Sequence, residues 1–213
     1  SCSWRAMRPS RRAERRADRG EHLLQAWCAV GLGFQAPLRF EQLPDLLAGL
    51  AQAFHFLETL EAQPASVLYA AAWLTGTSLY RSFNYTHDAK PGTVILSDKA
   101  NEEWPKLANL YMHVIEKDGI KLQPKDLITD IPVEYKAKKD ILQIQEMFQD
   151  SYNQIMKKYG FGYLEGAQVG VFICAILTRF HCVSNKDLDP NLAAGIVSMG
   201  FVEGVKTCPI PLK

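Results

Sequence analysis

What this chain lacks narrows the reading first. Its 24 basic and 23 acidic side chains leave a net charge of only +1 over 213 residues, so it has no long-range electrostatic reason to seek nucleic acid or an anionic membrane. It contains no Cys-x-x-Cys, no His-x-x-x-His and no Glu-x-x-His, which leaves zinc, thioredoxin-type and di-metal bundle sites without support. The glycine patterns Gly-x-x-x-x-Gly-Lys, Gly-x-Gly-x-x-Gly and Gly-x-Ser-x-Gly are missing as well, so nothing points to nucleotide binding or to a serine nucleophile. No cofactor is expected. Uninterrupted apolar runs are short, because Glu165, Arg179 and His181 cut the most apolar stretch, and no transmembrane segment is expected. No stretch carries a family signature.

Lysine is absent from residues 1–64, which hold eight arginines, whereas residues 65–213 hold two arginines and fourteen lysines. Physical chemistry alone does not sort the two cations so sharply. The division predicts an Arg-rich N-terminal helical extension over 1–64, non-native or dispensable in the sense of a fusion or leader, and an all-α core domain over 65–213. Seven arginines lie between Arg5 and Arg19, followed by the apolar stretch 23–34. That order suits an amphipathic anchor at a membrane surface, but Glu14, Asp18, Glu21 and Gln25 interrupt it, and a solvated helix end is the simpler account.

The five cysteines, Cys2, Cys28, Cys174, Cys182 and Cys208, are odd in number and spread along the chain. They read as free thiols in a reducing, cytoplasmic setting.

What is present is helical periodicity. A one-sided helix is expected over 41–63, with Leu46, Leu50, Phe54 and Leu57 at steps of three and four, closed by Pro64. Five core helices follow, over about 67–83, 97–117, 133–159, 161–182 and 191–206, giving an orthogonal or up-down helical bundle. The fourth is the most apolar, and Gly166, Gly170 and Cys174 recur along it every four residues. Such a stripe lets another backbone approach closely. The last helix, with Ala193, Ala194, Gly195, Gly200 and Gly204, is expected to pack on it. The stripes also suit a homodimer. Asp189-Pro190 is a helix start, 120–130 is a connector, and 208–213 is expected as a proline-stiffened surface tail.

Candidate chemistry is sparse. Tyr69, Trp73, Tyr80 and Arg81 on the first core helix, beside the turn-rich segment 81–92 with His87 and Asp88, are expected to line a rim that binds a protein partner or a small apolar ligand between helices. Glu165 is a further candidate there. An enzymatic alternative places His87, Asp88, Glu165 and Glu203 in one cleft as acid and base residues. The simpler account of Glu165 is a carboxylate in a first helical turn, and of Glu203 a surface pair with Lys206. Asp187-Leu-Asp189 resembles the start of a calcium loop but lacks the glycine and the distal glutamate. A chain beginning near Ser66 is expected to melt cooperatively by circular dichroism; one that stays unfolded makes 1–64 integral to the fold.

Overall fold

The computed structural model describes residues 63–212. The arginine-rich segment, the apolar stretch 23–34 and the helix expected over 41–63, apart from Gln63, lie outside them. Five α-helices occur among the described residues: α1 (Pro64–Ser82), α2 (Asp98–Lys117), α3 (Ile141–Lys158), α4 (Tyr163–Arg179) and α5 (Pro190–Lys206). The described part of the chain is all-α.

Local chemistry explains most of the boundaries. Pro64 opens α1 instead of only closing an earlier helix, with Gln63 at the N-cap; its fixed φ and missing N–H suit a first helical position. The Ser97 hydroxyl accepts from the Ala100 N–H at the head of α2, and Pro105 sits inside that helix. Asp189 caps α5 by accepting from the N–H groups of Asn191 and Leu192. The third helix is shorter than expected. Residues 133–135 form a 3-10 turn, and α3 begins only at Ile141, where Asp140 accepts from the Gln143 N–H and the Gln143 side chain accepts from the Asp140 N–H. That reciprocal cap satisfies two otherwise orphaned donors and fixes the start.

Packing is organised on α1, not on α4. α4 and α5 flank α1 and barely touch each other, so the expectation that the last helix packs on the fourth is corrected. On one side Gly166 and Gly170 of α4 face Ser78 and Thr75 of α1; a Cβ on Gly170 would lie 2.2 Å from Thr75 Oγ1. On the other side the backbones of α1 and α5 meet. A Cβ on Gly204 would lie 2.3 Å from the Trp73 carbonyl oxygen, and one on Gly76 would lie 2.5 Å from that of Phe201. Both small-residue stripes are therefore filled from within the chain.

α2 closes the opposite side. Tyr111 bonds Thr178 of α4 at 2.8 Å and sets its ring edge-on to Phe201 of α5, 6.1 Å between centroids. The connector is packed too: Ile128 crosses α5 at Gly195, where a Cβ would lie 1.9 Å from the Ile128 carbonyl oxygen.

α4 runs on into a π-helical turn, Phe180–Asn185, which ends at Lys186 in the left-handed region. Together they make a 23-residue rod, Tyr163–Asn185, whose most apolar 18-residue window has mean hydropathy 1.5, long and apolar enough by length and composition to cross a membrane. The helix is the one expected over 161–182, but no spanning length was expected of it, because the charges at its ends break the apolar run without stopping the helix. In this fold 72% of that 18-residue window is buried. As a core helix it satisfies its own hydroxyls, Thr178 donating to the Cys174 carbonyl and, on α1, Thr75 to that of Ala71, each at 2.8 Å.

The tail is not a surface strand. Thr207 pairs with Val94 as an antiparallel bridge, with Ile95 N–H donating to Lys206 O at 2.7 Å and Cys208 N–H to Thr93 O at 2.8 Å. Thr207, Cys208 and Pro209 are buried. Gly204→Ala is expected to lower unfolding free energy by ~1–3 kcal/mol in urea titrations, against the ~1 kcal/mol that alanine ordinarily gains over glycine in a helix. A neutral or stabilising result would refute the close α1–α5 crossing.

Candidate functional site

The residues expected on one rim are divided by the fold. Trp73 is wholly enclosed, with 0% of its surface exposed and its indole Nε1 without an acceptor. It is core, because α1 is covered on both flanks. Tyr69 stands eleven residues before Tyr80, about 16 Å along the axis at 1.5 Å per residue, and its hydroxyl donates to Glu203 of α5. Burial and that carboxylate raise the Tyr69 pKa. The pair is a tie between α1 and α5. It also corrects the expected Glu203–Lys206 surface pair, since a long-range tyrosine partner leaves no trace in local spacing.

Tyr80 and His87 do meet, and Arg81 stands beside Tyr80 at the same helix end. The end of α1 turns at Phe83, and Asn84, at φ 52, sends the chain back along the helix end. Tyr80, Phe83 and Tyr85 stack edge to face, with centroids 5.2 Å apart for Tyr80 and Tyr85 and 5.3 Å for Phe83 and Tyr85. His87 Nδ1 accepts from the Ala89 N–H at 3.2 Å. A neutral imidazole then carries its proton on Nε2 and donates to the Tyr80 oxygen, with which it is bonded. The Tyr80 pKa is pushed up to about 12 by burial first and by the neighbouring Cys208 thiol second. Tyr80 is therefore a neutral hydroxyl at ordinary pH.

The tail completes this end. Cys208 donates to the Ala89 carbonyl at 3.3 Å. Ile210 is held through both backbone groups: its N–H donates to Gln145 Oε1 at 2.8 Å, and its carbonyl accepts from Arg81 Nη2 at 2.5 Å and from Gln149 Nε2 at 3.5 Å. Gln145 and Gln149 are 1% and 3% exposed. The two amides, four apart, face the tail, with Tyr152 and Met156 continuing the buried side. Periodicity counts glutamine as polar, and only the tail's position reveals its burial.

The acid and base alternative finds no constellation. Asp88 is exposed, and neither it nor Glu165 makes a side-chain hydrogen bond or ion pair among the described residues. The Glu165 carboxylate doubles back over Gly162 at the head of its own helix. Glu203 is engaged at Tyr69. His181 is buried beside Asp187, 3.1 Å from its carboxylate, and the adjacent Cys182 is pushed up to about 12 by burial and by Asp189 and Asp187. That thiol stays protonated at neutral pH, the wrong state for a nucleophile. Among the described residues no three His, Cys, Asp or Glu side chains gather as a metal-ligand group. Comparison with protein-family models, with curated proteins and with solved structures gives no match.

Raised acid-group values carry a sign for stability. Tyr80 moves from 10.0 to about 12, and Cys174 from 9.0 to about 12 by burial, so the unfolded chain releases these protons first as pH rises. Stability is fully present below about pH 9 and is lost between there and pH 12, at up to ~1.4 kcal/mol per pH unit for each group. Urea midpoints measured from pH 8 to 11 are expected to fall steadily above pH 9; a flat profile contradicts burial of these groups.

Proposed function

We propose that this chain is a non-enzymatic helical domain that binds a small ligand or a partner at the end where α1, the 83–92 loop and the tail converge, through Tyr80, Arg81 and His87. One observation carries the reading: of the polar side chains that stand out in the sequence, these three are the ones gathered at one place, and the tail is fastened beside them. Their chemistry favours holding over reacting. Tyr80 is a neutral donor, His87 is committed to Tyr80 and Ala89, and no carboxylate joins them to move a proton.

The site lies at a helix end and not between helices, since α1 meets α4 and α5 too closely for a ligand to enter. Trp73 and Tyr69 have no part in it. A set of small aromatic, cationic and anionic fragments, screened against the isotope-labelled chain by NMR, is expected to shift signals of Tyr80, Arg81, Tyr85 and His87 in one cluster. Fragments that gather elsewhere, or that leave these residues unmoved, overturn the proposal.

A further inference from the structure

Arg81 stands out in this site for what it does not touch. Among the described residues its one hydrogen bond runs from Nη2 to the Ile210 carbonyl, and no carboxylate there pairs with it. Its Nε is enclosed and has no acceptor. A half-buried guanidinium ordinarily finds a carboxylate, because a charge taken from water without a counter-charge costs several kcal/mol. Burial pulls its pKa below the ordinary arginine value, as expected for a cation that lacks its anion.

Its neighbours are also under-used. Gln149, 3% exposed, reaches the same Ile210 carbonyl through a long 3.5 Å contact and has no partner for Oε1. Asn153, one turn further along α3, has an enclosed Nδ2 with no acceptor. Rotation of the Gln149 amide exchanges its two atoms and presents Nε2 where Oε1 now stands. Neutral Tyr80 lies one residue from Arg81. The unspent capacity here is thus a cation with no carboxylate partner among the described residues, two orphan donors, Arg81 Nε and Asn153 Nδ2, and one orphan acceptor, Gln149 Oε1, which becomes a donor only if the amide rotates away from the Ile210 carbonyl.

From this we infer that Arg81, with Gln149 beside it, is a binding site for a small oxyanion, a carboxylate or phosphate group carried by a small molecule. The inference rests on the binding role proposed above and specifies its ligand. Arginine's planar fork accepts such a group through two parallel N–H donors, here Nε and an Nη, which a lysine's point charge does not reproduce. Bound there, the anion supplies the acceptor that Nε lacks.

The test uses the full chain with inorganic phosphate and, separately, glutarate as probes, followed by the Arg81 Nε–H signal and by titration calorimetry. Binding of one or both is expected to move that signal, and which probe binds tells phosphate from carboxylate. Arg81→Gln is expected to weaken binding at least tenfold. Gln149→Glu, which puts a carboxylate beside Arg81, is expected to abolish the response while keeping or raising the melting temperature, and it decides the matter if Arg81→Gln fails to fold. Unchanged affinity in either folded variant, or probes that leave Arg81 Nε–H unmoved, overturns the oxyanion site. Uncharged fragments that still bind at Tyr80 and His87 in that case leave the binding role standing; their failure as well removes both.

Discussion

The fold depends on a contact that side chains would forbid. Where α1 crosses α5, Gly76 and Gly204 bring two backbones together, and Gly200 sits over Ala72 and the Tyr69 carbonyl. The order of these contacts, Tyr69 and Ala72 against Gly200, then Gly76 and Thr77 against Gly204 and Val205, makes the two helices run parallel. Against α4 the order reverses, Ser78 with Gly166 and Thr75 with Gly170, so α1 and α4 run antiparallel. α1 is thereby held between neighbours of opposite direction. Helices normally sit 8–10 Å apart, a distance set by the side chains at the contact, and removing those side chains at the crossing lets α1 sink between its neighbours. Trp73 is buried as a consequence.

That close approach also decides where polar groups can be placed. Within the sandwich four hydroxyls find a nearby backbone oxygen: Thr75 and Thr178 in their own helices, Ser78 at the Tyr163 carbonyl at 2.7 Å, and Tyr152 at that of Gly166 at 2.5 Å. These bonds add little net stability, about 1 kcal/mol each, but leaving them unmade would cost more. Enclosed atoms without partners remain at Ser66 and Trp73 on α1 and at His113 on α2, and at the far end of α1 three such atoms, on Arg81, Gln149 and Asn153, belong to neighbouring positions of α1 and α3.

Much of the fold was legible in the sequence because helices announce themselves locally. Ser97, Asp189-Pro190 and Gly160 mark ends by capping or by a left-handed φ, and the apolar steps of α2 name its inner face. Pairing of helices was less legible. A small-residue stripe shows that some backbone comes near but not which one, so α5 was matched to α4 when both belong to α1. The candidate site suffered in the same way. Tyr80, Arg81 and His87 lie within eight positions and could be grouped by eye; Gln145, Gln149 and Ile210 come from distant segments, and nothing in a glutamine's local spacing separates a solvated amide from one that holds a returning chain.

The returning chain is what turns a helix end into a site. Without residues 207–210, the Arg81 guanidinium would stand in water, where a charge is well solvated and binds a single anion weakly. The bridge of Thr207 to Val94 and the double hold on Ile210 bring the tail over it. Water is thereby excluded from Nε, and the same contact consumes only one of the guanidinium's donors. Partial burial strengthens whatever electrostatic contact the remaining donors make. The tail therefore desolvates Arg81 without neutralising it, and a carbonyl is well suited to that task because it accepts a hydrogen bond but carries no charge. A carboxylate in the place of Ile210 O would have closed the site from within.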